Sequence, residues 1–513
     1  MPRSDKPTAL DIAANDIRRP FPMRRDASFP RGNHSVYRSS KMHSPRRSTG
    51  GRRAGWALVE LGKDRMRAAR GCGEGQTLNK VKSPMNLSHY RLRCRGCDGM
   101  FEDDRFVIEC PMQHDEPALL VPEYRDKRFE PDARAEGMFK YRRWLPGTRA
   151  LSGAGSSVTY KSEKLNRLVG LSNMWVVFNG YWPEKGATLE TTTFKELEAW
   201  SVLSRIPEQH AGVLVVASAG NTAAAFARAC SLNKIPCLIV IPEAGLPCLR
   251  FSSDIDPCVK IVSLTGFADY YDAIVLADRV SQTDGFFPEG GVKNVAKREG
   301  LGTPVLNAVD TIGRLPDYYF QAIGSGAGGI AAYDAAKRLA EDGRFGHEPP
   351  RLMLSQNLPF VPIYMSWKSR RRELVEIDDD DGKKQIQQIS AQVLSNRRPA
   401  YSVRGGVFDA LTETQGDMFT ADNFEALHAS RLFEEIEGID IDPAGAVAFA
   451  TLLKAARYDG IEKEAQVLLN ITGGGRHRRQ LDNELIVARP ALELDEGEVL
   501  LDRALDKIAD LFR

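Results

Sequence analysis

Four short segments place reactive or hydrogen-bonding residues where apolar runs give way to glycine or to helix-forming sequence. In GYWPEKGATLETTTFKELEAW, Thr193 and Glu196 have capping-box spacing, which predicts a helix starting directly at Phe194 and Lys195. A lysine in a first helical turn behind an apolar residue is partly desolvated, and desolvation disfavours the charged form of an amine. Lys195 is therefore a candidate for Schiff-base chemistry with a carbonyl compound. The second segment, ASAGNT, covers residues 217–222. Its small residues Ser218, Ala219 and Gly220 let the backbone approach an anion. Together with Thr222 they bring the orphan amides of a helix start to a carboxylate, and Asn221 can reach a phenolic oxygen above the loop.

The third segment is GSGAGG, in which Gly324, Ser325, Gly326, Ala327, Gly328 and Gly329 form a backbone cradle suited to a phosphate at a helix N-terminus. Gly324, Gly326 and Gly329 also satisfy the dinucleotide pattern. That pattern needs an acidic residue after the following strand, where this chain has Gln356 and Asn357, so NAD is not expected. The fourth, LLNITGGG, offers the Thr472 hydroxyl to a pyridine nitrogen, with Asn470 as a rival. Taken singly, each segment has a plainer reading as a solvated lysine, a turn asparagine or a strand-to-turn connection.

A separate set lies further upstream. Cys94-x2-Cys97, Cys110 after twelve residues, and His114 have the spacing of a structural zinc ribbon. Four protein ligands leave no open position for catalysis by the metal. Cys230, Cys237, Cys248 and Cys258 show no such pairing and are expected to be buried thiols.

The elements that position these segments are mostly α/β. GVLVVAS (212–218), TAAAFARACSLN and PCLIVIP (236–242) predict one βαβ unit. DYYFQAI (317–323), IAAYDAAKRLAEDG and RLMLS (351–355) predict a second, so parallel sheets covered by helices are expected. The acidic run from Glu376 to Asp381 reads as a solvated loop or helix start. At 513 residues the chain exceeds one ordinary core. We expect a disordered basic leader over 1–84, which carries 19 Lys and Arg against 7 Asp and Glu, with Met85 a plausible true start. A cysteine-rich zinc-ribbon-like module is expected over 85–125. A catalytic region of two α/β subdomains follows over 126–513, the smaller at roughly 200–300. Net charge of +2 with 42% hydrophobic residues gives no whole-chain pull toward nucleic acid or membrane. No apolar run reaches a membrane span or a secretory signal, so a cytoplasmic protein is expected.

The order is a lysine helix, an asparagine loop about 26 residues on, a phosphate loop about 100 further, and a late hydroxyl. In this it resembles the fold type II pyridoxal-phosphate enzymes, with the two-domain parallel-sheet architecture of tryptophan synthase β. GYWPEKGA, TTTFKELEA, FFPEGGVKNVAKREG, LPDYYFQAIGSGAGGIAAYDAAKRLAEDGRFG and QNLPFVP resemble the cysteate synthase branch of the threonine synthase family from about Leu87 onward. The resemblance implies pyridoxal 5'-phosphate held covalently by Lys195, its ring oxygen at Asn221, its phosphate at Gly324–Gly329 and its ring nitrogen at Thr472. A neutral hydroxyl there leaves the ring nitrogen unprotonated, which favours β-replacement over transamination. It implies O-phospho-L-serine and sulfite as substrates, L-cysteate and phosphate as products, a place in coenzyme M biosynthesis, and a homo-oligomer. Two anionic substrates need cations near the β-carbon, for which Lys185, Lys161 and Arg298 are candidates. Threonine synthase relatives often carry a comparable N-terminal knuckle, so the resemblance implies a structural zinc at Cys94, Cys97, Cys110 and His114. The alternatives are a threonine synthase acting on O-phosphohomoserine and a catalytically inactive ligand-sensing protein.

Overall fold

The computed structural model describes residues 88–112, 114–458 and 460–513. The basic leader expected over 1–84, and the start expected at Met85, lie outside the described residues.

Apolar runs become buried parallel strands. Tyr318–Ala322 and Val467–Ile471 are buried at every position, and Arg351–Asn357 at all but its first. Strands covered by helices on both faces need such continuous runs rather than alternation. The larger sheet has six strands in the order Asp417–Ala421, Arg351–Asn357, Tyr318–Ala322, Val467–Ile471, Met174–Phe178, Val158–Lys161. All its pairings are parallel except the last. A second sheet has five parallel strands, Phe286–Pro288, Val213–Ala217, Cys237–Pro242, Val259–Thr265 and Leu492–Asp495. Its last strand arrives from the far C-terminal end of the chain, which the sequence pattern did not suggest. Both expected βαβ units are present, with helices Asn221–Asn233 and Ala327–Asp342 as the crossovers. The acidic run starts a helix, Asp379–Gln388, capped by the Asp378 side chain.

The lysine helix, Lys195–Arg205, is buried along its whole length beyond Lys195. It packs against helix Val295–Ile312 on one side and helix Asn221–Asn233 on the other. The first contact is close: a Cβ at Gly300 would stand 2.3 Å from the Leu197 carbonyl oxygen. No larger residue fits there, so Gly300 sets the depth of the lysine helix.

The cysteine-bearing segment forms a three-stranded antiparallel sheet in the order Met100–Phe101, Tyr90–Cys94, Leu120–Tyr124. It is clamped to the helices that carry the site. Arg205, the last residue of the lysine helix, bonds Asp103 through Nη2 at 2.6 Å and Nε at 3.0 Å. Arg95 reaches Asp334 on helix Ala327–Asp342 at 2.8 Å. Burial alone would push the Asp103 carboxyl up, but the hydrogen bonds and charge of Arg205 outweigh it and hold the group below the ordinary aspartate range.

A carboxyl that titrates lower in the folded than in the unfolded chain contributes stability above its unfolded pKa and loses it as pH falls through the folded one. Asp103→Asn is therefore expected to lower the unfolding free energy at pH 7 by about 3 to 5 kcal/mol, by leaving the buried Arg205 charge unpaired. It should also flatten the acid side of a stability-against-pH curve measured by urea unfolding. Unchanged stability would show that this ion pair does not hold the module.

Candidate active site

Lys195 is the first residue of its helix, as expected, but the capping box is not formed. Phe194 occupies the cap position without a side-chain cap, and the buried Thr193 Oγ1 has no partner among the described residues. Glu196 instead accepts from the Thr191 amide at 2.7 Å and the Thr191 hydroxyl at 3.0 Å. The helix start is fixed by backbone. Phe194 N–H donates to Thr472 O at 3.0 Å and Gly474 N–H to Thr192 O at 2.9 Å, with Thr192 itself at φ 61°. This tie joins the first segment to the fourth.

Behind the lysine stands a buried chain of charges. Lys195 Nζ lies 3.0 Å from Glu198 Oε2, one turn along the helix. Glu198 Oε1 accepts from the Thr222 hydroxyl at 2.8 Å and lies 3.2 Å from Lys297 Nζ, which in turn is 3.3 Å from Glu289. Burial pushes the Glu198 carboxyl up, yet the two lysines prevail and keep it below the usual glutamate range. Lys297 is held the opposite way: burial lowers its affinity for a proton, and two carboxylates more than restore it.

Lys195, Asn221, Gly324, Ser325, Gly326, Gly328 and Thr472 line one cleft, with Thr193, Gln321, Val393, Leu394 and Asp442. Ala327 and Gly329 face away from it, Ala327 into the core and Gly329 toward Leu354. Gly326 adopts φ 87°, and a Cβ there would lie 2.4 Å from Val407 Cγ2. The turn thus exposes backbone rather than side chains. Ser218 spends its hydroxyl on the Gly220 and Ala223 amides at 3.0 and 2.9 Å, which shapes the asparagine loop. Ala219 and Gly220 are part of that loop, and Thr222 is turned toward Glu198. Asn470 does not reach the cleft: its amide is taken up by Asn179, Tyr319 and Gln321 in a buried network. Of the two rivals, Thr472 is the one that lines the cleft.

The three candidate cations are elsewhere. The buried Arg298 guanidinium donates to the carbonyls of Val292 and Leu120. Lys161 lies on a strand 4.0 Å from Glu163, and Lys185 covers the rings of Tyr160 and Trp182 at 5.2 and 5.4 Å. None of the three lines the cleft.

The sequence pattern of a family described as pyridoxal-phosphate dependent enzyme matches residues 185–473. The chain is 44% identical over 417 residues to cysteate synthase of Methanosarcina acetivorans, covering 81% of this chain and 99% of that one. It is 43% identical over 417 residues to cysteate synthase of Methanosarcina mazei, with the same coverage. The chain belongs to the cysteate synthase family. Among solved structures, the processed form of threonine deaminase isoform 2 from Solanum lycopersicum superimposes with a TM-score of 0.50 at 16% identity, over 72% of this chain and 97% of that one. At that identity the likeness concerns the fold alone.

The residues present fit the cofactor of the family. The cleft offers a lysine amine, a cradle that side chains would fill (a Cβ at Gly324 would come 2.9 Å from Leu394 Cα), and the unpartnered Thr193 hydroxyl. In the same cysteate synthase framework the metal-type residues also converge. The ligand atoms of Cys94, Cys97, Cys110 and His114 all lie within 4.8 Å of one another. His114 Nδ1 sits 2.7 Å from the Glu116 carbonyl, which fixes Nδ1 as the protonated nitrogen and turns Nε2 toward Cys94 Sγ, 3.3 Å away. Sequence reasoning missed Glu198, Lys297 and Asp442, which stand at or behind the cleft. The i+3 spacing of Glu198 from Lys195 was a usable signal, whereas the partnership with Lys297 joins positions about a hundred residues apart.

Four ligand atoms this close can surround one ion, so we propose that they hold one structural zinc. Elemental analysis of chelator-washed protein is expected to find about one zinc per chain, with loss of metal on mutation of Cys97 and Cys110 together. Zinc-free protein with an unchanged melting temperature would remove the metal from the account.

Proposed function

We propose that this chain converts O-phospho-L-serine and sulfite into L-cysteate and phosphate, with pyridoxal phosphate carried on Lys195. The observation that supports it most is the shared cleft: the lysine amine, the Asn221 amide, the glycine cradle and the Thr472 hydroxyl open onto one space. These are the groups needed for an aldehyde, a ring oxygen, a phosphate and a ring nitrogen. The substrate assignment is supported by relatives named cysteate synthase at 42 to 45% identity.

Pyridoxal phosphate supplies an electron sink for the carbon next to the substrate amine. The protein moves one proton. The Lys195 amine, freed when the amine of phosphoserine takes its place on the cofactor, would accept the α-proton, and the resulting ammonium would have the Glu198 carboxylate as its counter-ion. The β-carbon to oxygen bond breaks and phosphate leaves. Sulfite then bonds through sulfur to the β-carbon, and Lys195 returns the proton to the α-carbon. Atoms and charge balance without an external oxidant. Thr472, which lines the cleft, would present a neutral hydroxyl to the ring nitrogen, in keeping with replacement rather than transamination.

Purified protein loaded with pyridoxal phosphate, offered phosphoserine with sulfite and separately phosphohomoserine with water, is expected to release phosphate and form cysteate only in the first mixture. Lys195→Ala should reduce that turnover by at least about a thousandfold. Threonine from the second mixture, without cysteate from the first, would replace this reading with threonine synthase activity.

A further inference from the structure

Asn221 has two chemically different ends, and its role depends on which one faces the cleft. The amide oxygen only accepts hydrogen bonds and the amide nitrogen only donates them. A ring oxygen carrying negative charge needs a donor. The side chain of a terminal helix residue such as Asn221 has no intrinsic preference between the two orientations, so something nearby must choose.

Arg476 lies where it can make that choice. It is the first residue of helix Arg476–Asp482, immediately after the glycine run TGGG, and it donates from Nη2 to Asn221 Oδ1 at 3.2 Å. A guanidinium has donors only, so it can pair with the oxygen end of the amide and never with the nitrogen end. With Oδ1 held by Arg476, Nδ2 is the end left over, and no described residue accepts a hydrogen bond from it. Arg476 is itself held on its other edge. Its Nε and Nη2 bond the Asp442 carboxylate at 2.6 and 2.9 Å, a two-pronged contact that fixes the plane of the guanidinium. The Asp442 side chain is 5% exposed, and its backbone amide donates to Gly473 O at 2.9 Å. The pair therefore belongs to the same backbone tie that seats Lys195. Because Asp442 neutralises Arg476, the pair offers no surplus positive charge to a substrate anion.

We propose that Arg476, oriented by Asp442, is a positioning residue that sets the rotation of the Asn221 amide, so that Nδ2 is presented to the ring oxygen of pyridoxal phosphate. The inference rests on the assignment of Asn221 to that oxygen. It does not depend on which substrates the enzyme uses. Arg476 touches neither the cofactor nor the reacting atoms on this account, and it acts entirely through Asn221.

The test is a double-mutant cycle read by cofactor binding rather than by turnover. Pyridoxal phosphate is titrated into wild type, Asn221→Ala, Arg476→Met and the double variant, with the absorbance maximum of each loaded protein recorded. Each single substitution is expected to weaken binding by roughly tenfold, the loss of one well-aimed hydrogen bond. The double variant should be no weaker than Asn221→Ala alone, and Arg476→Met should shift the absorbance band in the same direction as Asn221→Ala. Arg476→Lys keeps the charge and a donor but not the two-pronged contact. It should recover part of the affinity, and it carries the cycle if Arg476→Met does not fold. Additive losses, or an Arg476→Met protein with wild-type affinity and absorbance, would overturn the inference while leaving the Asn221 assignment intact. Wild-type binding by Asn221→Ala would overturn both.

Discussion

A lysine amine is useful to this site only if it stands over the glycine cradle, and a short backbone tie decides whether it does. The Phe194 and Gly474 amides exchange hydrogen bonds with the Thr472 and Thr192 carbonyls, locking the start of the lysine helix to the loop after strand Val467–Ile471. That strand lies beside Tyr318–Ala322 in the large sheet, and the cradle follows directly from the latter. The hydroxyl and the cradle thus leave the carboxyl ends of neighbouring parallel strands, where open α/β sheets place their ligands, and the tie brings the lysine to the same end. Asn221 comes from the corresponding end of a strand in the other sheet, Val213–Ala217. The cleft is lined from both sheets, which is how residues as far apart in sequence as Lys195 and Thr472 come to share it.

The tie fixes position, and the charges behind it select which lysine is available. Lys297 is buried, but two carboxylates hold it and it does not line the cleft. Among the described residues Lys195 pairs with one carboxylate, Glu198, and it lines the cleft. Two lysines and two glutamates balance when Lys195 carries its proton. When it does not, Glu198 retains Lys297 as a counter-ion and is never left as an isolated buried charge, which would be costly.

Much of this was legible in the sequence because the signals were local. The apolar runs at 213–217, 237–242 and 318–322 read as buried parallel strands of two βαβ units, and glycines stood in the asparagine and phosphate loops and after Thr472. Local reasoning failed where backbone from a distant loop competed. Thr193 and Glu196 had ideal capping spacing, yet the glycine loop supplied the helix start and Glu196 turned to Thr191. The strand Leu492–Asp495 was hidden because it is an edge strand with alternating charges, a pattern that fits a surface loop equally well. Lys161, Lys185 and Arg298 were singled out by lying in family-like segments. Charge alone does not say which way a side chain points, and aromatic rings and carbonyls hold two of them away from the cleft.

The central claim is the identity of one amine. Borohydride reduction of the pyridoxal-phosphate-loaded protein, followed by proteolysis and mass mapping, should place a single phosphopyridoxyl group on the peptide containing TTTFKELEAW, at Lys195. A label on Lys297 or any other lysine, or no label on a protein that has taken up the cofactor, would contradict the account.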